Sequence, residues 1–406
     1  MKILVQKFGG TSVATPERRE KAARKIQAAA SAGFAVVVVI SAIGRSGDSY
    51  ATDTLIDLAE GSGRATPREL DLLMSCGEVI SCVVMAGVLG GCGLDPVVLT
   101  GAQAGIHTDS GFGDATILDV DGRRISSLLE EGRVPIVAGF QGVDARGDIT
   151  TLGRGGSDLT AAILGEALKA EAVEIYTDVE GIMTADPRIV PEARIMDTVD
   201  YSEVFQMAEY GAKVIHPRAV EVAMRSRIPM YIKSALTDHP GTLITAAHTG
   251  RGYRAGEDGR LITAIAHVTG QARARVEFRG RRPDIERDEF LFTRIAEAGI
   301  SIDMINICPE SKVFIVEERR REALARLLET LGFDHDIKGG MGKVTVIGSR
   351  MRGVPGVMAR TVRALDRAGI RIHQSSDSSM TISCLVEGER LSEAVIALHA
   401  EYGLEK

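Results

Sequence analysis

The stretch KILVQKFGGTSVATPERREKAARKIQAAASAGFAVVVVI, residues 2–40, predicts a strand, a glycine turn, a helix and a second strand. Ile3 to Phe8 has the apolar content of a buried strand, and Pro16 is typical of a first helical turn. Gly33 then ends the helix, because glycine readily adopts the left-handed conformation found after helices. Val36 to Ile40 follows as a second buried strand. This unit predicts a parallel sheet with a right-handed crossover.

Apolar strands and helical stretches continue to alternate downstream. A helix beginning at Pro67 is predicted to have a capping box formed by Thr66 and Glu69. Further strands are predicted at Val97 to Thr100, Val134 to Ala138 and Val173 to Tyr176, and further helices at Asp158 to Lys169 and Pro217 to Arg225. The alternation predicts an α/β domain over residues 1–245, with an open, mainly parallel sheet between helix layers.

After residue 245 the pattern changes, and 246–260 is predicted to be a polar linker. The segments RIAEAGISIDMI and RALDRAGIRIHQ align as one helix, turn and strand junction, turning at Gly299 and Gly369. The predicted elements are strands at 261–268, 274–278, 300–307, 313–317, 343–348, 370–374 and 381–386, and helices at 288–298, 320–331, 355–368 and 391–402. They form two repeats, 261–340 and 341–406. Because the second lacks a closing strand, we expect 261–268 to complete it, so that the repeats interlock.

Composition excludes several classes of protein. With 406 residues, 45% hydrophobic and 25% charged, the chain has the content of a globular protein of two or three domains. A net charge of −7 and the absence of Trp disfavour nucleic-acid binding. Five cysteines without a Cys-x-x-Cys pair disfavour a zinc site or a disulfide framework. No signal peptide or membrane-length apolar run is visible, so we expect a cytoplasmic protein without a membrane partner.

Two glycine loops have the properties of anion sites. KFGGTS, residues 7–12, places Lys7 and bare backbone N–H groups before a helix, and GRGGSD, residues 153–158, also opens a helix. An isolated Gly-Gly-Thr is more often a structural turn, and the Walker pattern is absent, so a P-loop enzyme is not supported. Thr177 and Asp178 follow a strand at the edge where open α/β sheets bind ligands.

The motifs VQKFGGTSV, SAIGRSGD, LMSCGE, TGAQAGI, TLGRGGSDLTAA, YTDVEGIMTADPR and GAKVIHPRAVE resemble, in this order, those of the aspartate kinase family, within the amino-acid kinase superfamily. The C-terminal repeats resemble the paired, ferredoxin-like ACT domains of these enzymes. QSSDS and the closing ALHAEYGLEK resemble the Bacillus-type, diaminopimelate-sensitive members. The resemblance covers nearly the whole chain.

The resemblance implies phosphorylation of the L-aspartate side-chain carboxylate by ATP, giving 4-phospho-L-aspartate. That carboxylate, with an ordinary pKa of about 3.9, is already ionised at neutral pH and needs no general base. Catalysis must then depend on positioning and on stabilising charge. Mg²⁺ is expected with ATP, held mainly through the phosphates, and no protein metal site is expected.

The family's functional residues carry over position by position. Lys7 and Asp158 are the expected catalytic residues, with Asp158 orienting the lysines. The expected ATP contacts are Lys7, Phe8, Gly9, Gly10, Ser41, Thr177, Asp178, Gly181, Met183, Arg188 and Lys213. The expected aspartate contacts are Thr52, Glu78, Arg154, Gly155, Gly156 and Ser157. Arg154 would bind a carboxylate and Glu78 the ammonium. His216 is expected to cap a helix.

Paired ACT domains imply feedback by an end-product amino acid and dimerisation through these domains. Met358, Ile372, Gln374 and Ser379 are the expected effector contacts. HQSSDSSMTIS departs from the ISTSEIKIS of many lysine-sensitive relatives, which favours diaminopimelate over lysine. Another amino-acid kinase, such as glutamate 5-kinase, and a catalytically silent amino-acid sensor are the alternative functions. The intact Lys7, Arg154, Asp158 and Lys213 argue against the silent sensor.

Overall fold

A computed structural model describes residues 1–63, 65–212, 214–246, 261–278, 285–349, 351 and 353–405. The predicted linker, except for residue 246, lies outside these described residues. The chain divides into two compact units. The first contains the described residues of 1–182, 195–208 and 213–253, and the second those of 183–194, 209–212 and 254–406.

The strands of the first unit are β1 (Lys2–Phe8), β2 (Phe34–Ile40), β3 (Pro96–Leu99), β4 (Ile106–Thr108), β5 (Ile117–Val120), β6 (Val134–Ala138), β7 (Gln141–Val143), β8 (Ile149–Thr151), β9 (Ala172–Thr177), β10 (Thr198–Asp200), β11 (Met230–Ser234) and β12 (Thr242–Thr245). Its helices are α1 (Pro16–Ser31), α2 (Thr52–Ser62), α3 (Pro67–Gly91), α4 (Arg123–Glu130), α5 (Gly156–Leu168), α6 (Tyr201–Glu209) and α7 (Pro217–Ser226). These elements place a parallel-rich sheet among helices, which confirms the predicted fold class.

The main sheet has the strand order β10-β12-β11-β9-β1-β2-β6-β3, and β11 and β12 are its antiparallel neighbours. β1 lies between β9 and β2, with Phe8 opposite Tyr176 on one side and Ile40 on the other. The carboxyl ends of these three strands are therefore level. Open α/β sheets bind ligands beyond the carboxyl ends of their strands, at a strand from which the chain continues to both sides. β1 lies in such a position, between β2 and β9.

Local sequence explains the first unit's key elements. The apolar run of β2 is buried over Val36 to Ile40, as expected for a parallel strand covered on both faces. Thr15 caps α1, because its hydroxyl accepts from the Arg18 N–H at 3.3 Å, and Pro16 occupies the first turn. The capping box predicted for α3 is wrong: the Thr66 side chain forms no capping hydrogen bond, and Arg68 takes the Glu69 carboxylate instead.

Helix α3, 25 residues long, is by length and composition alone apolar enough to cross a membrane. Met74, Glu78, Cys82, Met85 and Leu89 are all buried along one side of it. Cys82, Met85 and Leu89 belong to the same core cluster as Phe8 and β2. This packing is that of a core helix, and it brings Glu78 to the sheet edge.

The strands of the second unit are β13 (Ala264–Glu277), β14 (Asp303–Ile307), β15 (Ser311–Glu317), β16 (Asp334–Ile347), β17 (Gln374–Asp377) and β18 (Thr381–Glu387), and its helices are α8 (Ile285–Glu297), α9 (Arg321–Thr330), α10 (Val357–Arg367) and α11 (Leu391–Tyr402). They form one antiparallel sheet of order β14-β15-β13-β16-β18-β17. The hydrophobic clusters of this unit include one around Phe314, one around Val395 and a smaller one around Ile315.

Several predicted strand boundaries in the repeats are wrong. The strands predicted at 261–268 and 274–278 are one strand, β13, whose residues 264–268 pair with 343–347 of β16. The strand predicted at 370–374 begins only at Gln374. Ile370 is buried, but its N–H donates to the Leu365 carbonyl at the end of α10 and not to a neighbouring strand. The strand predicted at 300–307 likewise begins at Asp303, after a buried Ile300.

Candidate active site

The level ends of β1 and β2 and the start of α5 surround a pocket of about 530 Å³. Ten of the predicted site residues line this pocket: Lys7, Gly10, Ser41, Thr52, Glu78, Arg154, Gly155, Gly156, Ser157 and Asp158. Thr52 is the first residue of α2. The pocket therefore brings together residues from five separate parts of the sequence.

Lys7 and Asp158 form a buried ion pair at the centre of the site, with Nζ 2.7 Å from Oδ1. Both side chains are about nine-tenths buried, since each is only 11% exposed. Lys7 is held by the last residues of β1, and Asp158 lies in the first turn of α5. The His216 N–H donates to the other oxygen of Asp158 at 3.3 Å, which fixes the orientation of the carboxylate toward the lysine.

The glycine loop after β1 is bound tightly to its neighbours. The Gly9 N–H donates to the Tyr176 carbonyl at 3.1 Å, so this N–H is engaged within the protein. A Cβ atom at Gly10 would lie 2.3 Å from the carbonyl oxygen of Ala42 and 2.7 Å from that of Gly44. Only glycine fits this approach between the two loops.

Glu78 is an acid of the pocket whose pKa is strongly shifted. Its side chain is buried, and Oε1 accepts from the Ala42 N–H at 3.2 Å. Its other oxygen, Oε2, has no hydrogen-bond partner in the described part of the chain. Burial raises the pKa of Glu78 to about 8, because loss of water disfavours the charged form. A cation placed at Oε2 would offset that penalty.

The second glycine loop presents Arg154 to the pocket. Its side chain is 94% exposed, and its guanidinium lies 4.0 Å from the carboxylate of Asp53. Gly155, with a φ of +72°, caps α5, and a Cβ there would lie 2.4 Å from the His216 ring. His216 itself caps α7, since Nδ1 accepts from the Arg218 N–H at 3.3 Å, which confirms the predicted capping role.

The predicted nucleotide residues are only partly assembled at this edge. Thr177 ends β9 and its hydroxyl donates to Asp178 at 3.1 Å. Gly181 packs against Thr242, whose hydroxyl accepts from the Ile182 N–H. The Phe8 ring is buried and stacks on Tyr176 at 4.6 Å, so only its backbone is available to a ligand.

None of the remaining three nucleotide predictions belongs to the described residues of the first unit. Met183 and Arg188 belong to the second unit. Met183 packs against the hydrophobic cluster that includes Val395, and Arg188 binds the Asp186 carboxylate at 2.6 Å. Lys213 lies outside the described residues.

The second unit has a pocket of about 530 Å³ at the start of α10. Met358 and Ser379, two of the four predicted effector residues, line it together with Asp377, which sequence reasoning missed. Ile372 packs instead against the hydrophobic cluster, and the Gln374 amide donates to Asn306 Oδ1 at 2.6 Å.

Comparison with known proteins identifies the family. Residues 2–234 match the amino acid kinase family, and residues 336–400 match the ACT domain. The chain is 44% identical, over 409 aligned residues and the full length of both chains, to Aspartokinase 1 of Bacillus subtilis (strain 168). The chain belongs to the aspartokinase family. The resemblance predicted from the motifs is thereby confirmed.

The aspartokinase fold extends over the whole chain. The crystal structure of E. coli aspartokinase III in complex with aspartate and ADP is 27% identical, with a TM-score of 0.81, covering 98% of this chain and 99% of that one. The structure of the same E. coli enzyme with lysine and aspartate is 26% identical, with a TM-score of 0.76, covering 99% of this chain and all of that one.

Two charged residues that line the pocket of this aspartokinase were not predicted from the sequence. Arg45 and Asp53 line the pocket, and each belongs to an ion pair, Arg45 with Asp178 and Asp53 with Arg154. The SAIGRSGD motif contains Arg45, but a single arginine in a polar loop is usually solvated. Its partner is 133 positions away along the chain, so only the sheet order reveals the pair.

Proposed function

We propose that this aspartokinase transfers the terminal phosphoryl group of ATP to the side-chain carboxylate of L-aspartate, the first step toward lysine, diaminopimelate, threonine and methionine. The observation that carries the proposal is the pocket of the first unit, where the Lys7–Asp158 pair lies beside a buried Glu78 and an exposed Arg154. These groups suit a substrate with two carboxylates and one ammonium.

Each end of aspartate has a partner in this pocket. Arg154 offers a planar, forked donor to a carboxylate, while the unpartnered oxygen of Glu78 would accept from the ammonium. Thr52 and Ser157 would add hydroxyl contacts, and the backbone of Gly155 and Gly156 starts α5, whose N-terminus favours anions. The side-chain carboxylate is then left to face Lys7.

Lys7 would stabilise the charge on the phosphoryl group during transfer, and Asp158 would hold the ammonium of Lys7 in place. The attacking carboxylate oxygen forms the new P–O bond as the bond to the bridging oxygen of ADP breaks, and no proton moves. The lysine acts only by position and charge, as in other phosphoryl transfers.

Mg²⁺ delivered with ATP would neutralise phosphate charge. Magnesium in nucleotide sites takes oxygen ligands, typically phosphates, water and one or two carboxylates. Asp178, half-exposed at the carboxyl end of β9, is a carboxylate that fits this chemistry. The other proposed nucleotide contacts are Phe8, Gly9, Gly10, Ser41, Thr177, Gly181, Met183, Arg188 and Lys213.

The function is tested by a coupled ATP assay of the purified full chain with aspartate and, separately, with glutamate. We expect turnover with aspartate and little or none with glutamate, because an additional methylene displaces the reacting carboxylate from Lys7. Preference for glutamate would indicate another amino-acid kinase. Turnover with neither, from a protein that still binds amino acids, would indicate a silent sensor.

We further propose that an end-product amino acid, diaminopimelate in preference to lysine, inhibits the enzyme from the pocket at the start of α10. The N–H groups at the start of this helix would bind its carboxylate, and Asp377 its ammonium. Kinase assays with lysine, threonine and diaminopimelate should show inhibition by one of them that Asp377→Asn weakens at least about tenfold, the loss expected for a charged hydrogen bond. Inhibition by none would contradict the regulatory proposal.

The organisation that goes with this function is a catalytic domain over 1–245, a linker over 246–260, and ACT domains over 261–340 and 341–406, with 261–268 completing the second. Pairing of 264–268 with β16 supports this arrangement. A homodimer through the ACT domains in the cytoplasm completes the proposal, and the exposed Ile305 and Ile307 on edge strand β14 favour an association of this kind.

A further inference from the structure

Arg45 lies at the mouth of the pocket on a loop that is fixed to the glycine loop. The Gly44 N–H donates to the Gly10 carbonyl at 3.1 Å, and the Arg45 N–H donates to the Asp48 carboxylate at 2.8 Å. These bonds hold the backbone of Arg45 beside the predicted phosphate loop, because the adjacent Gly44 is bonded directly to Gly10. Its side chain, 68% exposed, remains able to change partner.

The side chain of Arg45 reaches across the end of β1. Its Nη2 lies 2.6 Å from Oδ2 of Asp178, which directly follows β9. Because the sheet order is β9-β1-β2 and the three strands end level, a pair joining the loop after β2 to the end of β9 must pass above the end of β1. Gly9 and Gly10 lie at that end, so the guanidinium is next to the predicted phosphate position.

The charges of the pocket leave Arg45 available for an anion. Among the described residues, the cations that line the pocket are Lys7, Arg45 and Arg154. Lys7 is buried against Asp158, and Arg154 is assigned to the substrate carboxylate. The pair of Arg45 with Asp178 is exposed at both ends, and such pairs contribute little to stability. A triphosphate offers a stronger, two-pronged partner to a guanidinium.

We propose that Arg45 is a further catalytic residue, which exchanges Asp178 for the terminal phosphate of ATP and stabilises the phosphoryl group during transfer. This inference rests on the proposed kinase function. In the transfer, Arg45 donates hydrogen bonds to non-bridging phosphate oxygens and gives up no proton. Its release also frees the Asp178 carboxylate at the edge where Mg²⁺ would arrive.

The test compares Arg45→Ala and Arg45→Lys with the control Arg123→Ala in the full-length chain. Arg123 also forms an exposed ion pair, at 2.5 Å from Asp121, but does not line the pocket. We expect kcat to fall about 100- to 1000-fold in Arg45→Ala, the effect of losing one donor to developing charge. The kcat of Arg45→Lys should be intermediate, because lysine keeps the positive charge but lacks the two parallel N–H donors of the guanidinium. The KM for aspartate should stay within about twofold, and Arg123→Ala should match the wild type.

Nucleotide binding without turnover separates this role from simple loop anchoring. Calorimetry should show about tenfold weaker binding of a non-hydrolysable ATP analogue to Arg45→Ala and unchanged binding of ADP, because only the analogue has the terminal phosphate. Equal loss for both nucleotides, or a wild-type kcat in Arg45→Ala, would overturn the proposal. If the wild type fails to phosphorylate aspartate, the proposed function fails, while the binding comparison still decides whether Arg45 contacts the terminal phosphate.

Discussion

Replacing Glu78 by glutamine should make the protein more stable and a poorer enzyme. Burial raises the pKa of Glu78 from its ordinary 4.5 to about 8. A raised carboxyl pKa means that the folded protein disfavours the charge. The contribution of this group to the free energy of unfolding is therefore greatest below pH 4.5. It is lost as the pH rises to about 8, and above that pH the free energy of unfolding no longer changes through this group.

The magnitude follows from 1.36 kcal/mol for each pKa unit. Glutamine stays neutral, so the stability gap between Glu78→Gln and wild type should be below about 1 kcal/mol near pH 5, about 3 kcal/mol near pH 7 and about 5 kcal/mol near pH 9. At pH 5 the two side chains are nearly equivalent. Both are neutral, both accept from the Ala42 N–H, and both place a donor where Oε2 lacks a partner.

Thermal unfolding at pH 5, 7 and 9 measures this gap, which near pH 7 corresponds to about 6 to 12 °C in Tm for a unit of this size. The exposed Glu69 is on the same helix α3, and Glu69→Gln is the matched control in which no gap that grows with pH is expected. A gap that is independent of pH, or a Glu78→Gln protein less stable than wild type at pH 9, would show that the fold does not disfavour the charged form of Glu78.

The same substitution tests substrate binding. An ionised Glu78 binds an ammonium more strongly than a neutral one, so the wild-type KM for aspartate should fall as the pH rises toward 8. In Glu78→Gln the KM should be about 10- to 100-fold higher, the loss expected for one charged hydrogen bond, and it should no longer vary over this range. An unchanged KM would mean that the ammonium binds elsewhere.

Lys7→Met should lower kcat about 100- to 1000-fold, because it removes a cation from the proposed phosphoryl position, and it should also destabilise the fold by leaving the buried Asp158 carboxylate without its cation. The double variant Lys7→Met/Asp158→Asn should recover most of the melting temperature and none of the activity, and recovery of activity would exclude the catalytic role. Gly10→Ala should reduce both activity and stability, because the added methyl group meets the Ala42 and Gly44 carbonyls at 2.3 and 2.7 Å. Measuring the activity and the melting temperature of Gly10→Ala checks this prediction. If both equal the wild-type values, the two loops can move apart at little cost.

The first strand, helix and strand could be predicted because each has its own local signal. The β2 run is apolar throughout, and Thr15 and Pro16 mark the start of α1. The Lys7–Asp158 pair was predicted only through the family motifs, since 151 positions separate the partners along the chain. The short strands β4, β5, β7 and β8 escaped prediction because three or four residues are too few to establish an alternating pattern.

Boundaries in the repeats failed for a different physical reason. Periodicity shows that a residue is buried but does not show whether it is buried in a strand. Ile300 and Ile370 both follow a glycine that ends a helix, and both are buried, so the apolar pattern appeared to start a strand there. In each case the N–H of the isoleucine closes the preceding helix end, on Ile295 or Leu365, and the sheet begins only later.

A net charge of −7 does not oppose binding of two anions at one site, because the pocket supplies its cations already matched to carboxylates. Lys7 faces Asp158, Arg45 faces Asp178, and Arg154 lies within 4.0 Å of Asp53. Binding an anion at the two exposed arginines is then an exchange of one oxyanion partner for another, so each guanidinium keeps a carboxylate or phosphate beside it before and after the ligand binds. The buried Lys7–Asp158 pair does not exchange, and its fixed position is what electrostatic catalysis requires.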